Sequence, residues 1–234
     1  MILFVAATEK ELENLIRGSL PADLLQNQGR EEKYRGKKIG VLACGVGPLN
    51  AAISLERFFT LRQKVSAVVN IGIAGSYNLR KLPLGSVCLA HREIWPEYGL
   101  RDDYCLAQPE KLGFPLDARG PEIIWNSLQL HPGAVAEKAG LSLDPGWHQG
   151  ISITMAGVSS RPEHVQRIVK IFQADTENME GFALAYCCYL RSVPFLEVRT
   201  ISNLAGTRDR NKWDLKSALG GLRKVWQGLW RSPG

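Results

Sequence analysis

The residues of this chain best placed to do chemistry lie between Thr176 and Asn203, in the run TENMEGFALAYCCYLRSVPFLEVRTISN. Glu177, Asn178 and Glu180 precede Phe182, Ala183, Tyr186 and Leu190, whose spacing predicts a helix with the polar group in its opening turn. Ser192-Val193-Pro194 ends that helix, and Phe195, Leu196 and Val198 predict a strand. Glu197 and Arg199 interrupt the strand, and Ser202-Asn203 close it. A strand buried on both faces is usually apolar throughout, so charges and an amide at its carboxyl end point to a ligand site there. A second carboxylate, Glu11, follows the first strand, where it could hold a water molecule. It also stands three residues after Thr8, the spacing of a helix capping box. Glu197 and Arg199 carry a similar second reading, as an ion pair within one strand.

The elements that must position these groups follow in order. Residues 1–7 read as a strand and Leu12, Leu15 and Ile16 as the apolar stripe of a helix. Residues 20–37 read as a hairpin or loop, and Lys38–Cys44 as a strand ending in Gly45-Val46-Gly47 before a helix through Ala51, Ala52, Leu55 and Phe58. That glycine pair is no dinucleotide fingerprint, because Asn50 and Asn70 stand where a small residue and an acid belong. A strand is expected over Val65–Ile73, running into a Gly72–Ser76 turn, and another near His91. Pro96–Gly150 reads as excursions with a helix near 121–130. Ile151–Ala156 is the next strand, and Pro162–Phe172 a helix with Val165, Ile168, Val169 and Phe172 inward. The last helix, near 214–230, carries Leu215, Leu219, Leu222, Val225, Trp226 and Leu229 as a packing stripe.

Composition bounds the rest. The 234 residues are 45% hydrophobic and 22% charged, enough for one sizeable core, and residues 1–234 are expected to form one domain. Apolar runs are far too short to span a bilayer, and Met1–Val5 lacks the basic start of a signal peptide, which together predict a cytoplasmic protein. Five cysteines without a C-x-x-C pair read as packing thiols, so neither disulfides nor a metal is expected. The net charge of +6 is scattered except around 208–212 and the tail, and no basic stripe carries interleaved aromatics, which argues against nucleic acid.

Asn178-Met179-Glu180-Gly181 resembles the methionine–glutamate motif of the nucleoside phosphorylase and nucleosidase superfamily, and Val198–Ser202 resembles its R-x-I-S-D motif, with Asn203 in place of the aspartate. Asn70–Gly75 resembles its N-x-G-x-A-G segment, and Ala7–Glu11 the segment that holds the nucleosidases' catalytic glutamate, with Glu9 as the competing candidate. The Asn203 departure, followed by Arg208–Asp214, most resembles the futalosine hydrolases, which release hypoxanthine from a nucleoside on the menaquinone pathway. The resemblance implies a three-layer αβα sandwich around a mixed β-sheet, a homo-oligomer, no cofactor, and water as nucleophile, since the G-D-P-x-R phosphate pattern is missing. Arg17 and Arg80 are the remaining candidates for phosphate. Glu11 would direct the water with help from Arg199; Glu180 and Met179 would hold the ribose beside Asn178 and Ser76; Val158, Ser159 and Ser202 would line the base. Asn203 would read the base, and Trp213, with Arg208, Arg210 or Lys212, would meet a 5′ benzoate. The alternatives are a methylthioadenosine/S-adenosylhomocysteine-type nucleosidase, a purine nucleoside phosphorylase, or a non-catalytic nucleoside-binding protein on the same scaffold.

Overall fold

A computed structural model describes residues 1–26, 30–61, 64–101, 107–207 and 209–231. The strands are β1 (Ile2–Ala6), β2 (Glu32–Tyr34), β3 (Lys37–Ala43), β4 (Ala67–Ser76), β5 (Val87–Ile94), β6 (Leu100–Arg101), β7 (Ala107–Gln108), β8 (Ser127–Gln129), β9 (His148–Thr154), β10 (Thr176–Asn178) and β11 (Phe195–Leu204). The helices are α1 (Glu9–Ile16), α2 (Pro48–Leu61), α3 (Pro109–Leu112), α4 (Pro132–Ala139), α5 (Pro162–Phe172), α6 (Gly181–Leu190) and α7 (Leu215–Leu229), with single 3₁₀ turns at Ala22–Leu24 and Arg210–Lys212.

Among the described residues, nine strands form one mixed sheet in the order β10-β9-β5-β11-β4-β1-β3-β2, with β8 on β5. Strand β10 pairs with β9 on one side and antiparallel to β4 on the other, so β10, β9, β5, β11 and β4 close into a ring. Strands β3, β1, β4 and β11 run parallel to one another, which gathers their carboxyl ends on one side.

Alternation along β1 shows how the layers form. Ile2, Phe4 and Ala6 face a core shared with Leu12, Leu15 and Ile16 of α1 and Leu222, Val225, Trp226 and Leu229 of α7. Leu3 and Val5 face the other core, with Leu55 and Phe58 of α2 and Phe182, Leu184 and Cys188 of α6. Both faces of the sheet are thus covered, and the expected three-layer αβα sandwich with a mixed central sheet is what forms. Trp226 is the largest fully buried side chain, with its ring centroid 4.9 Å from Phe4 and 5.0 Å from Tyr34. Such aromatic pairs contribute about 0.5–1.5 kcal/mol beyond their burial and anchor α7 to the sheet.

Several local expectations change. No helix covers 121–130: Ile124 bridges Asp117, Ser127–Gln129 is an edge strand, and the helix starts at Pro132 instead. Proline is well suited to the first helical turn, and Gly140 in a left-handed conformation ends the helix. Strand β4 continues through Gly72 and Gly75 to Ser76 rather than turning at the glycines. In α5 only Ile168 is fully buried, and Val169 is exposed. Cys44, Cys88, Cys187 and Cys188 are buried free thiols, as expected, while Cys105 lies outside the described residues. Among the described residues no helix is long and apolar enough to cross a membrane.

Candidate active site

A cavity of about 450 Å³ opens at the gathered carboxyl ends. Of the residues expected there, Glu11, Val158, Asn178, Met179, Glu180, Ser202, Asn203 and Trp213 line it. Arg199 and Ser76 do not. Arg199 is buried beneath the wall, and Ser76 is wholly buried at the end of β4, where its Oγ accepts from the Asn78 N–H at 3.1 Å.

Glu11 makes the expected capping box and also lines the cavity. Its Oε2 accepts from the Thr8 N–H (2.9 Å) and hydroxyl (2.7 Å), completing the capping box at the start of α1. Its Oε1 accepts from the Ile73 N–H of β4 at 3.0 Å. Three donors therefore hold the carboxylate in one orientation at the cavity wall. Glu9 is exposed and lines no part of it.

Glu180 is the N-cap residue of α6, not part of an opening helical turn with Glu177 and Asn178, which belong to β10. Pairing with β9 along 176–178, and with β4 at Thr176 and Glu177, holds this segment extended, and the helix begins only where that pairing stops. Glu180 Oε1 accepts from the Gly47 N–H at 3.0 Å, and Oε2 lies 3.8 Å from Arg199 Nη1. Gly47 presents that N–H from a backbone with φ +92°, a conformation that favours glycine. Burial raises the Glu180 carboxyl above the usual carboxylate range, against the opposing pull of Arg199 and Gly47. Arg199 Nε donates to Glu197 Oε1 at 2.9 Å, so the in-strand ion pair exists and extends to Glu180. Burial works against the guanidinium charge, but Glu197 and Glu180 outweigh it and hold Arg199 protonated.

The end of β11 carries a bulge between Ile201 and Asn203. Strict alternation would send neighbouring side chains to opposite faces; the extra residue lets both Ser202 and Asn203 reach the cavity. The Ser202 hydroxyl lies 2.7 Å from Asn203 Oδ1, and Asn203 Nδ2 donates to the Leu204 carbonyl at 3.1 Å. A side chain at Gly75 would meet Asn203 Nδ2 at 3.2 Å and Glu177 Cγ at 3.3 Å, so glycine keeps this corner open.

Other lining residues carried weaker signals. Glu177 accepts from the Tyr77 hydroxyl (2.9 Å) and the Ser159 N–H (3.2 Å), and burial raises its carboxyl. It is one of the motif's polar residues, but nothing in its spacing separates it from Asn178. Lys10 is the one basic residue lining the cavity among those described. Leu215 and Leu219, read as packing, also line it, and Leu215 is exposed. Lys212, Arg17 and Arg80 do not line it, and Arg208 lies outside the described residues. Trp213 lines it with its Nε1 donating to the Thr207 carbonyl at 3.1 Å.

The phosphorylase superfamily model matches residues 2–224. A futalosine hydrolase from Thermus thermophilus is 32% identical over 200 residues, covering 86% of this chain and 84% of that protein. A 5′-methylthioadenosine/S-adenosylhomocysteine nucleosidase from Lysinibacillus sphaericus is 28% identical over 226 residues, covering 91% and 90%. The structure of a futalosine hydrolase from Helicobacter pylori superposes with a TM-score of 0.71 at 18% identity, covering 97% of this chain and 95% of that one. With the sheet order, the cavity at the strand ends and the two motifs in place, this chain belongs to the phosphorylase superfamily.

Proposed function

We propose that the nucleoside hydrolysed by this enzyme is futalosine, which would place it in menaquinone biosynthesis with hypoxanthine and dehypoxanthine futalosine as products. The observation that carries this reading is the hydrogen-bond account of Asn203. An amide has two N–H donors and two acceptor lone pairs. Leu204 uses one donor and Ser202 one lone pair, leaving one of each. The departing base needs an acceptor for its protonated N7 and, beside it, a partner at C6. Asn203 Oδ1 accepts from N7–H while its free N–H donates to a 6-oxo group. A 6-amino group there would set donor against donor as the base leaves, and a buried unpaired donor costs about 1–3 kcal/mol. Adenine could still pair with the amide before N7 is protonated, so this selection acts on the transition state.

The geometry supports the other roles in this reading. Cleavage builds positive charge on the ribose ring, and Glu180 is placed to accept from the sugar hydroxyls and offset that charge, with Met179 packed on the sugar. Glu11 directs water at C1′ and takes its proton. Arg199 acts from beneath, through Glu180. The described lining contains no arginine, which favours water over phosphate as nucleophile. Lys10 supplies a cation for a 5′ carboxylate, and Trp213, Leu215, Leu219 and Val158 supply an apolar wall for its ring.

The test is an end-point assay with futalosine, inosine and methylthioadenosine, each with and without phosphate, following base and sugar by chromatography. Hypoxanthine and free sugar from futalosine, with no phosphate requirement, is the expected result. In the same assay Lys10→Met raises KM for futalosine and leaves neutral nucleosides unaffected. Adenine release as the main activity would replace futalosine by methylthioadenosine, and a sugar phosphate would make the enzyme a phosphorylase.

A further inference from the structure

Directly beneath Glu180, the inside of the strand ring is polar. Glu93 of β5, Ser152 and Thr154 of β9, Asn178 of β10, and Glu197 and Arg199 of β11 are all buried there. Asn178 Nδ2 donates to Glu93 Oε1 (2.7 Å) and Ser152 Oγ (2.9 Å), and lies 3.3 Å from Glu197 Oε1. Strands β10 and β11 are not neighbours, so that last contact crosses the interior of the ring. The same amide's Oδ1 accepts from the N–H groups of Glu180 (2.8 Å) and Gly181 (2.6 Å). Asn178 lines the cavity, yet its polar atoms are committed inward.

Two carboxyl groups in this cluster are fully buried, and one cation serves it. Glu197 Oε1 takes the Arg199 Nε–H at 2.9 Å, a charge-assisted bond that commits the cation to Glu197. Among the described residues no cation touches Glu93, which accepts from Asn178 Nδ2 and, at 2.9 Å, from the Thr154 hydroxyl. Among the described residues no donor reaches Glu197 Oε2. It shares one small space with Glu93: a side-chain carbon on Gly181 would meet Glu93 Oε1 at 2.3 Å and Glu197 Oε2 at 2.5 Å. Two hydrogen-bonded carboxyls cannot both carry full charge in such a place.

We propose that Glu93 and Glu197 share one proton, held on Glu93 and hydrogen-bonded to Glu197, and that this pair is the positioning device for Glu180. One branch runs from Glu197 through Arg199 to the Glu180 carboxylate. The other runs from Glu93 through Asn178 to the backbone N–H groups that start α6. Burial and the neighbouring Glu197 both push the Glu93 carboxyl well above the ordinary glutamate value of 4.5, in agreement with the proton's place. Among the described residues, the titratable and charged groups facing the pair are Arg199, Tyr77 and Cys88, with Glu180 on the far side of Arg199.

The inference rests on Glu180 as the sugar-binding carboxylate, and its test has one arm that needs no turnover. A carboxyl raised on folding favours the native state below about pH 4.5 and loses that contribution as pH rises through its folded value. Thermal unfolding followed from pH 4.5 to 8 is therefore expected to be flatter for Glu93→Gln than for the parent, with the variant the more stable at neutral pH. An infrared band of a protonated carboxyl at neutral pH, present in the parent and absent from Glu93→Gln, reports the same proton. In the activity arm Glu93→Ala lowers kcat roughly 100-fold, as sub-ångström misplacement of a catalytic group does. Glu93→Gln restores most of that, whereas Glu197→Gln, which leaves Arg199 without its partner, does not. Glu93→Gln as damaging as Glu93→Ala, or unfolding and infrared profiles unchanged by Glu93→Gln, would overturn the proposal. Inactivity of the parent on futalosine, with the unfolding and infrared results as expected, would sink only the reading of the substrate.

Discussion

At the scale of single residues, the proposed reading of the base rests on Asn203. Asn203→Asp restores a titrating acid beside the base, and the expected outcome is a shift of kcat/KM toward 6-amino nucleosides by about 10-fold or more, roughly 1.4 kcal/mol. Unchanged base preference would remove the amide from the account of selectivity. On the proposed reading, Glu180 sets the acid side of the pH profile. Its carboxyl is raised by burial, and the sugar-binding form is the ionised one, so kcat/KM falls as pH drops through a value above 4.5. A limb at or below 4.5 would place the controlling group elsewhere. The polar lining residues between Glu177 and Asn203 were legible because they gather where the local pattern demands apolar ones. Lys10 was not, since a lysine in the first turn of a surface helix reads as solvated charge. Nor was the inward commitment of Asn178, which depends on strands 85 and 19 positions away in sequence.

At the scale of elements, long periodic segments declared themselves: α5 and β11 stand where the pattern put them. Short ones did not. Three residues of β10 carry too little periodicity to tell strand from helix start, and the pairing that decides comes from β9 and β4. The bulge in β11 leaves no mark in the sequence either, because its cause is a register difference against β4. The glycines of the ring can be tested individually. Gly181 starts α6 against Glu93 and Glu197 with no room for a side chain, so Gly181→Ala is expected to destabilise the protein by about 1–3 kcal/mol despite alanine's higher helix propensity. Chemical denaturation measures this directly; a neutral or stabilising effect would mean that the carboxyl pair moves aside freely.

At the scale of the molecule, α2 leaves Leu49 and Ile53 largely exposed, 77% and 67%, beside an apolar hollow of about 610 Å³ walled by Trp95, Phe182 and Tyr186. Apolar surface of this kind on a water-exposed face marks an interaction site. We propose a second copy of the chain as its occupant, in keeping with the homo-oligomer that the superfamily resemblance implies. Sedimentation equilibrium is expected to give at least twice the 25.9 kDa of one chain, and Leu49→Glu with Ile53→Glu to return it to one. A parent that sediments as a single chain would leave that surface to another partner.

The ring of strands carries a consequence in time as well as in space. Strand β10 is three residues long, yet it is paired on both sides and leads straight into Met179 and Glu180. A strand that short at an open edge would fray on its own, and its amides would exchange with solvent through local openings. Closed into the ring, it can open only if β9 and β4 let go together. Amide hydrogens of 176–178 should therefore exchange as slowly as those of β4 in the centre of the sheet. The floor of the site would then keep its shape for as long as the whole molecule stays folded.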